Sequence, residues 1–416
     1  MNDGESKRNQ GSRGRRTASE LPLSALLSQV LVAFTIEFDN EFEQRMAESG
    51  FPGARLSLVL WSNLIRFIPR KGITVGDLTR KAIASQERIK HHLGCLERWG
   101  YVVLGPGPVE GRPAGKTSKQ SARAERDGWG SGRGIRADWV VLLTSAGQQA
   151  AKLWTPLFGV IEERWATRFG KVQIDQLREA LLAVVDNLDV ELPQGLPGLW
   201  PSAETFPARV SRERAGLSLP ALLSQSLLAF TIEFDRESRA PLEFSANVLR
   251  VLGREPTPLK DLPRLTGGSP ERTDIGWQLK PYVSTEADPT ANRGKLVRLT
   301  PRGLAAQEIY PRLTAEIEKR WEKSFGKDEI RSMRRSLQDL LNRRHEDRSL
   351  LSEGLVPPPG VARAGALVPA LGRRDMGPAA RKRARDLVAQ NSDFLRDPTE
   401  TLPHYPLWDM NRGFGP

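Results

Sequence analysis

The sequence predicts a mainly α-helical protein built from two tandem domains of one kind, each with a small two-stranded β hairpin, and three observations predict it. A string of twenty residues, LPLSALLSQVLVAFTIEFDN from Leu21, returns as LSLPALLSQSLLAFTIEFDR from Leu217 with about fifteen positions identical. Apolar residues recur at helical spacing within it. Shorter β-prone strings, Tyr101 to Leu104 and Asp138 to Leu143, flank a Gly-rich basic stretch as the strands of a hairpin would.

The similarity continues in order along both copies. VGDLTRKAIASQER at Val75 is answered by LKDLPRLTGGSPER at Leu259, LTSAG at Leu143 by LTPRG at Leu299, and IEERWATRFG by IEKRWEKSFG. Each copy is far longer than the roughly 20–50 residues of a solenoid unit, so two whole domains are expected, at 21–190 and 217–344. Before them lies a polar, basic arm, 1–20, expected to be disordered. Between them, 191–216 holds Pro193, Pro197, Pro201 and Pro207 and reads as a semi-stiff linker. After them, 345–416 forms a tail with LVPPPG, a basic cluster from Arg373 to Arg385, and TLPHYPLWDMNRGFGP, which either docks through Tyr405, Trp408 and Phe414 or stays loose.

Within the first copy, Leu23, Leu26, Leu27, Val30, Leu31, Phe34 and Phe38 define a long helix with a broad buried face. A second helix is expected from Leu56 to Ile68 and a short third one around Val75 to Ala82. A fourth follows a tight turn, opened by Ser85 as N-cap and burying Ile89, Leu93 and Leu96. The hairpin comes next, and two long helices close the domain.

Composition narrows the function. The chain has 416 residues, a formal charge of +12 and 39% apolar residues, enough for ordinary cores. Its longest apolar stretch, Leu21 to Phe38, is interrupted by Ser28, Gln29, Thr35 and Glu37 and falls short of the roughly 20 residues a membrane span needs. No h-region is legible near Met1, so a cytoplasmic location is the expectation. The single Cys95 excludes an internal disulfide framework. The positive charge favours a polyanionic partner, because clustered cations release counterions from phosphates.

The order of helices, the string GDLTRKAIASQERIKHHLGCLERWGYVV, and DPTANRGKLVRLTPRG in the second copy together resemble the MarR family of winged helix-turn-helix bacterial regulators. The most specific piece is the second hairpin, where Asp288, Pro289, Arg293, Lys295 and Leu299-Thr300 fit the family's wing. The resemblance implies a transcriptional regulator that binds double-stranded DNA, with or without relief by a small-molecule effector. Because such proteins pair through their first and last helices, a tandem copy implies a monomer acting as its own pseudo-dimer. Two departures stand out. The first wing is enlarged by 105–137, which carries seven Arg and Lys against three Asp and Glu. The second recognition helix, SPERTDIGWQLKPYV, is about three residues short and holds the unfavourable Gly276 and Pro281.

Side chains near the start of a recognition helix reach base edges, which nominates Gln86, Arg88, Lys90 and His91 in the first copy and Arg272 and Thr273 in the second. Wing cations Arg133, Arg136, Arg293 and Lys295 are candidates for the minor groove. A solvated face is the alternative for each set, and for the tail cluster Arg381, Lys382, Arg383 and Arg385 it is the better reading. His91, His92 and Cys95 share a helix but make an incomplete zinc set, so neither metal nor cofactor is expected. Glu37 and Glu233, in apolar first helices, either face water or pair with Arg164 and Arg320 and set the register of helices between the domains. No phosphate loop, nucleophile elbow or His-rich metal motif is present, which argues against an enzyme. The rival class is a non-catalytic winged-helix scaffold that binds a protein partner or coats DNA nonspecifically.

Overall fold

The protein is seen here as a computed structural model that describes residues 20–51, 56, 58–83, 86–106, 134–196, 216–266, 279–290, 294–345, 348–355 and 402–406. It is mainly helical with small antiparallel sheets. In the first half, α1 (Leu23–Glu48), α2 (Leu58–Asn63), β1 (Ile73–Thr74), α3 (Val75–Lys81), α4 (Gln86–Arg98), β2 (Val102–Pro106), β3 (Trp139–Leu143), α5 (Ser145–Phe169) and α6 (Lys171–Asp186) follow one another. The second half runs through α7 (Leu219–Glu237), α8 (Leu242–Asn247), β4 (Thr257–Pro258), α9 (Leu262–Thr266), β5 (Val283–Ala287), β6 (Lys295–Leu299), α10 (Pro301–Phe325) and α11 (Lys327–Asn342). A small ribbon of β7 (Arg344–His345) and β8 (Arg348–Ser349) and a 3₁₀ turn at Leu350–Leu355 come after.

The sheets correct the expected two-stranded hairpins. Each has three strands, in the orders β1-β3-β2 and β4-β6-β5. The extra strand is two residues long, with Ile73 opposite Val141 and Thr257 opposite Val297, too short for any alternation to show in sequence. The second helix is also shorter than expected. It gives way after Asn63 to a 3₁₀ turn at Ile65–Phe67.

The recurring Leu-Thr-x-x-Gly string has a physical reason. The Thr144 hydroxyl accepts from Gly147 N–H at 3.1 Å and donates to Gly100 C=O, capping α5 while tying it to the turn before β2. Thr300 does the same for α10, accepting from Gly303 at 3.2 Å and donating to Pro281 C=O at 2.8 Å. Glycine stands at the third position because a Cβ would lie 2.2 Å from Tyr101 O in one half and 2.0 Å from Tyr282 O in the other. The Arg-Phe-Gly and Ser-Phe-Gly strings break the two closing helices at Gly170 and Gly326, whose φ values of 101° and 102° suit only glycine.

The halves meet through reciprocal pairs: α1 on α7, α6 on α11, α1 on α11 and α6 on α7. Arg178 of α6 donates to Leu217 C=O at 2.7 Å, and Arg334 of α11 donates to Leu21 C=O at 2.9 Å. Each last helix thus holds the start of the other half's first helix. One apolar core runs through both halves, from Leu26, Phe34 and Trp165 to Leu222, Phe230 and Trp321, and a smaller one underlies the second sheet around Phe244, Leu249, Tyr282 and Val297. Parts of the stretches read as linker and tail belong to the main core, namely Leu192, Leu196, Leu351, Leu355, Leu402 and Tyr405.

Crossed from both sides, α1 is buried almost all round rather than along one face. Its polar residues consequently need partners within the protein. Glu37, with 3% of its side chain exposed, receives Arg168 through both oxygens at 2.9 Å, Trp165 Nε1 at 2.8 Å and Arg164 at 3.3 Å. Glu233, 31% exposed, receives Trp321 Nε1 at 2.7 Å and Arg320 at 3.3 Å. The expected arginines are therefore present, but they tie α1 to α5 and α7 to α10, each inside its own half, and the register they set is not between halves.

Candidate nucleic-acid interface

Helix α4 buries Ile89, Leu93 and Leu96 and turns its other side outward. Gln86 and His91 are exposed there, with Arg88 and Lys90 half-buried beside them. Ser85, the expected cap, lies outside the described residues. His92 points inward, and burial, with help from the charges of His91 and Arg88, pulls its imidazole down to about 3, so it stays neutral. Cys95 accepts from Arg98 at 3.3 Å, with its sulfur 3.9 Å from His91. Among the described residues no three His, Cys, Asp or Glu side chains converge on a metal position.

Ahead of α4, Thr74 caps α3, its hydroxyl accepting from Asp77 N–H at 3.0 Å. The last turn of α3 places Arg80 and Lys81 at the surface. Sequence reasoning did not nominate this pair, although two adjacent cations ending a short helix were the available signal. In a helix-turn-helix the first helix crosses the phosphate backbone, which is where such cations act.

Strands β2 and β3 pair from Val102 opposite Leu143 to Pro106 opposite Trp139. Their connection carries Arg133, which lies outside the described residues. Arg136 is exposed and engages its own neighbour, donating to both oxygens of Asp138 at 2.9 and 3.0 Å. That guanidinium holds the Asp138 carboxyl below the usual range. An exposed pair of this kind is weak and screened by salt, so a phosphate can compete for Arg136.

In the second half Arg272, Thr273 and Arg293 lie outside the described residues, and Lys295 is exposed at the start of β6. The Asp288-Pro289 pair has a turn-forming part. Asp288 N–H donates to Gly294 C=O at 2.9 Å, while its carboxylate accepts from Thr290 N–H at 2.9 Å and from the Thr290 hydroxyl at 2.6 Å, which keeps its pKa low. Glu286 and Arg298 pair across the two strands at 2.8 Å.

Phe34, Phe38, Trp61 and Trp165, large aromatic residues of the first half's helices, are core residues. A cavity of about 630 Å³ lies instead between the start of α1 and the α10–α11 pair, lined among others by Arg250, Gln307, Tyr310, Thr314, Glu318 and Gln338. At the equivalent positions of the first half stand Trp154, Phe158 and Leu182, where the second half has Tyr310, Thr314 and Gln338. Trp154 stacks on Trp61 with ring centroids 5.0 Å apart and meets Phe38 and Phe42 at 4.8 and 4.6 Å.

Among the described residues no helix is long and apolar enough to cross a membrane. Compared with protein-family models, with curated proteins and with solved structures, the chain matches none.

Proposed function

We propose that the protein is a DNA-binding transcriptional regulator of MarR-like type, a tandem winged helix-turn-helix chain that serves as its own pseudo-dimer. The observation that carries this reading is the α3–α4–β2–β3 succession. A short capped helix presents Arg80 and Lys81, the next shows Gln86, Arg88, Lys90 and His91 on its open side, and a hairpin with a strongly basic connection follows. Arg and Gln match guanine and adenine edges in the major groove, and the hairpin cations suit the minor groove.

Reciprocal packing of first and last helices would set the two reading heads about a common axis, so a bound operator has two parts about 34–36 Å apart. The halves are unequal in sequence, so the half-sites are unequal too. The cavity beside Tyr310 makes the second half the place where an effector would act. Titrating the protein on a preferred and a scrambled duplex across salt concentrations tests the reading. Arg88→Ala narrows the difference between the two duplexes, whereas Lys295→Ala weakens both alike and lowers the salt slope by about one. Equal loss on both duplexes for both variants would favour a nonspecific or protein-binding scaffold.

A further inference from the structure

The segment Leu402–Pro406 is buried although 46 residues separate it from Leu355, and the chemistry that holds it is specific. Gln29 Nε2 donates to Leu402 C=O at 3.1 Å, and Ser28 Oγ donates to Pro403 C=O at 2.9 Å. Asn247 engages both main-chain groups of one residue through its carboxamide, accepting from Tyr405 N–H at 3.0 Å and donating to Tyr405 C=O at 2.9 Å. Thr231 donates to the Tyr405 hydroxyl at 3.4 Å. Gln29 and Ser28 belong to α1 and Asn247 to α8, so the crevice is assembled from both halves.

The same recognition recurs elsewhere in the molecule. Leu192-Pro193-Gln194-Gly195 aligns with Leu402-Pro403-His404-Tyr405. Gln225 of α7 donates to Leu192 C=O at 2.8 Å. Asn63 of α2 accepts from Gly195 N–H at 2.9 Å and donates to Gly195 C=O at 3.0 Å. Gln225 is the repeat mate of Gln29, and Asn63, in Ser62-Asn63-Leu64-Ile65-Arg66, is that of Asn247 in Ala246-Asn247-Val248-Leu249-Arg250. One Gln and one Asn, drawn from different halves, thus read a Leu-Pro-x-x segment twice. The two differ in attachment. Leu192 follows α6 within six residues, whereas 46 residues of sequence lie between Leu355 and Leu402.

We propose that the crevice between α1 and α8 is a peptide-binding site for Leu-Pro-x-aromatic-Pro sequences, with the chain's own Leu402–Pro406 as an exchangeable occupant. Main-chain groups supply the binding register, the Leu402 and Tyr405 side chains supply selectivity, and the fixed φ of Pro403 and Pro406 leaves less backbone entropy to lose. A partner protein carrying this sequence would displace the tail.

The test uses a fluorescent peptide of residues 401–407 and the full-length chain. With Leu402→Ser and Tyr405→Ala the internal occupant is weakened, and this variant is expected to bind the peptide saturably, at least tenfold more tightly than the unaltered chain. Adding Asn247→Ala should abolish that binding while the circular dichroism spectrum is kept. Absence of binding to the folded double variant, or indifference to Asn247→Ala, overturns the proposal. A second route needs no destabilising change: a protease site placed between residues 360 and 395 lets the tail be cut. Loss of the released fragment, which runs from the cut to residue 416, on gel filtration at micromolar concentration, and its return on re-addition, supports exchange. Retention of the fragment through dilution, or unfolding on cutting or in the double variant, shows instead that the segment is an integral part of the core.

Discussion

Replacing Glu37 by Gln leaves the shape of the side chain intact and removes its charge, and the surroundings decide what that costs. Arg168 is 11% exposed and spends two donors on Glu37, and its other carboxylate neighbour, Glu353, is 54% exposed and 3.4 Å away. Arg164 keeps Glu41 at 2.9 Å, a carboxyl whose pKa this pairing lowers against the opposing effect of burial. The loss therefore falls on Arg168, left as a largely buried cation with no charge opposite it, one arm on the Gln carbonyl and the other facing an NH₂ that repels it. Breaking a buried pair by removing one partner costs about 3–5 kcal/mol, and with Trp165 still able to donate to the Gln carbonyl the lower end applies, about 3 kcal/mol. Glu233→Gln makes the same chemical change where the carboxylate is 31% exposed and Arg320 40% exposed and also paired with Glu237. There the cost is at most about 1 kcal/mol. Urea unfolding followed by tryptophan fluorescence measures both. Equal losses at the two positions would refute the argument that burial and Arg168, rather than the shared sequence context, set the energy.

Gly303→Ala places a methyl on a backbone carbonyl that cannot turn aside, and unfolding should show a loss of about 2–3 kcal/mol. Exposed Gly50, with nothing near its Cβ position but a φ of +88°, should lose only about 1 kcal/mol on the same change. Burial at the end of α7 pushes the Asp235 carboxyl up to about 7, against the N–H of Leu242 that it accepts at 2.8 Å. A carboxyl raised in the folded state adds stability below its unfolded pKa of about 4 and loses it as pH climbs through about 7. Asp235→Asn should therefore become relatively more stable between pH 4 and 7, by about 2–4 kcal/mol in all. A pH-independent difference in urea midpoint would contradict this. His92 works in the opposite direction. Held neutral in the fold, it removes stability as pH falls below about 6.5, and His92→Leu should flatten that acid limb in a thermal melt.

Much of the fold was legible because its signals are local. Helical spacing marked α1 and α7, and the Leu-Thr-x-x-Gly and Phe-Gly strings stood out as repeats, whose steric reason is now visible at Gly147, Gly303, Gly170 and Gly326. What stayed hidden is made by contacts distant in sequence. The two-residue strands β1 and β4 exist only because β3 and β6 offer an edge. Arg168 as the main partner of Glu37 has no mate in the second half, where Ser324 stands, so comparing the copies pointed to Arg164 alone. The Leu-Pro segments carry no periodicity, and their recognition rests on an Asn and a Gln that each look like ordinary helix residues. The cavity beside Tyr310 is lined by residues of α10 and α11 and by the start of α1, and such a void shows only once the helices are placed. Of the nominated interface, Gln86, Arg88, Lys90, His91, Arg136 and Lys295 fall within the described residues, while Arg133, Arg272, Thr273 and Arg293 lie outside them.

The central claim, that one chain reads DNA as a pseudo-dimer, is tested most directly by selection from a random duplex library at near-physiological salt. The account predicts enrichment of a two-part site with unequal halves whose centres lie about one helical turn, roughly 34–36 Å, apart. Enrichment of a single short site, or of none with a steep salt dependence of binding, would contradict it.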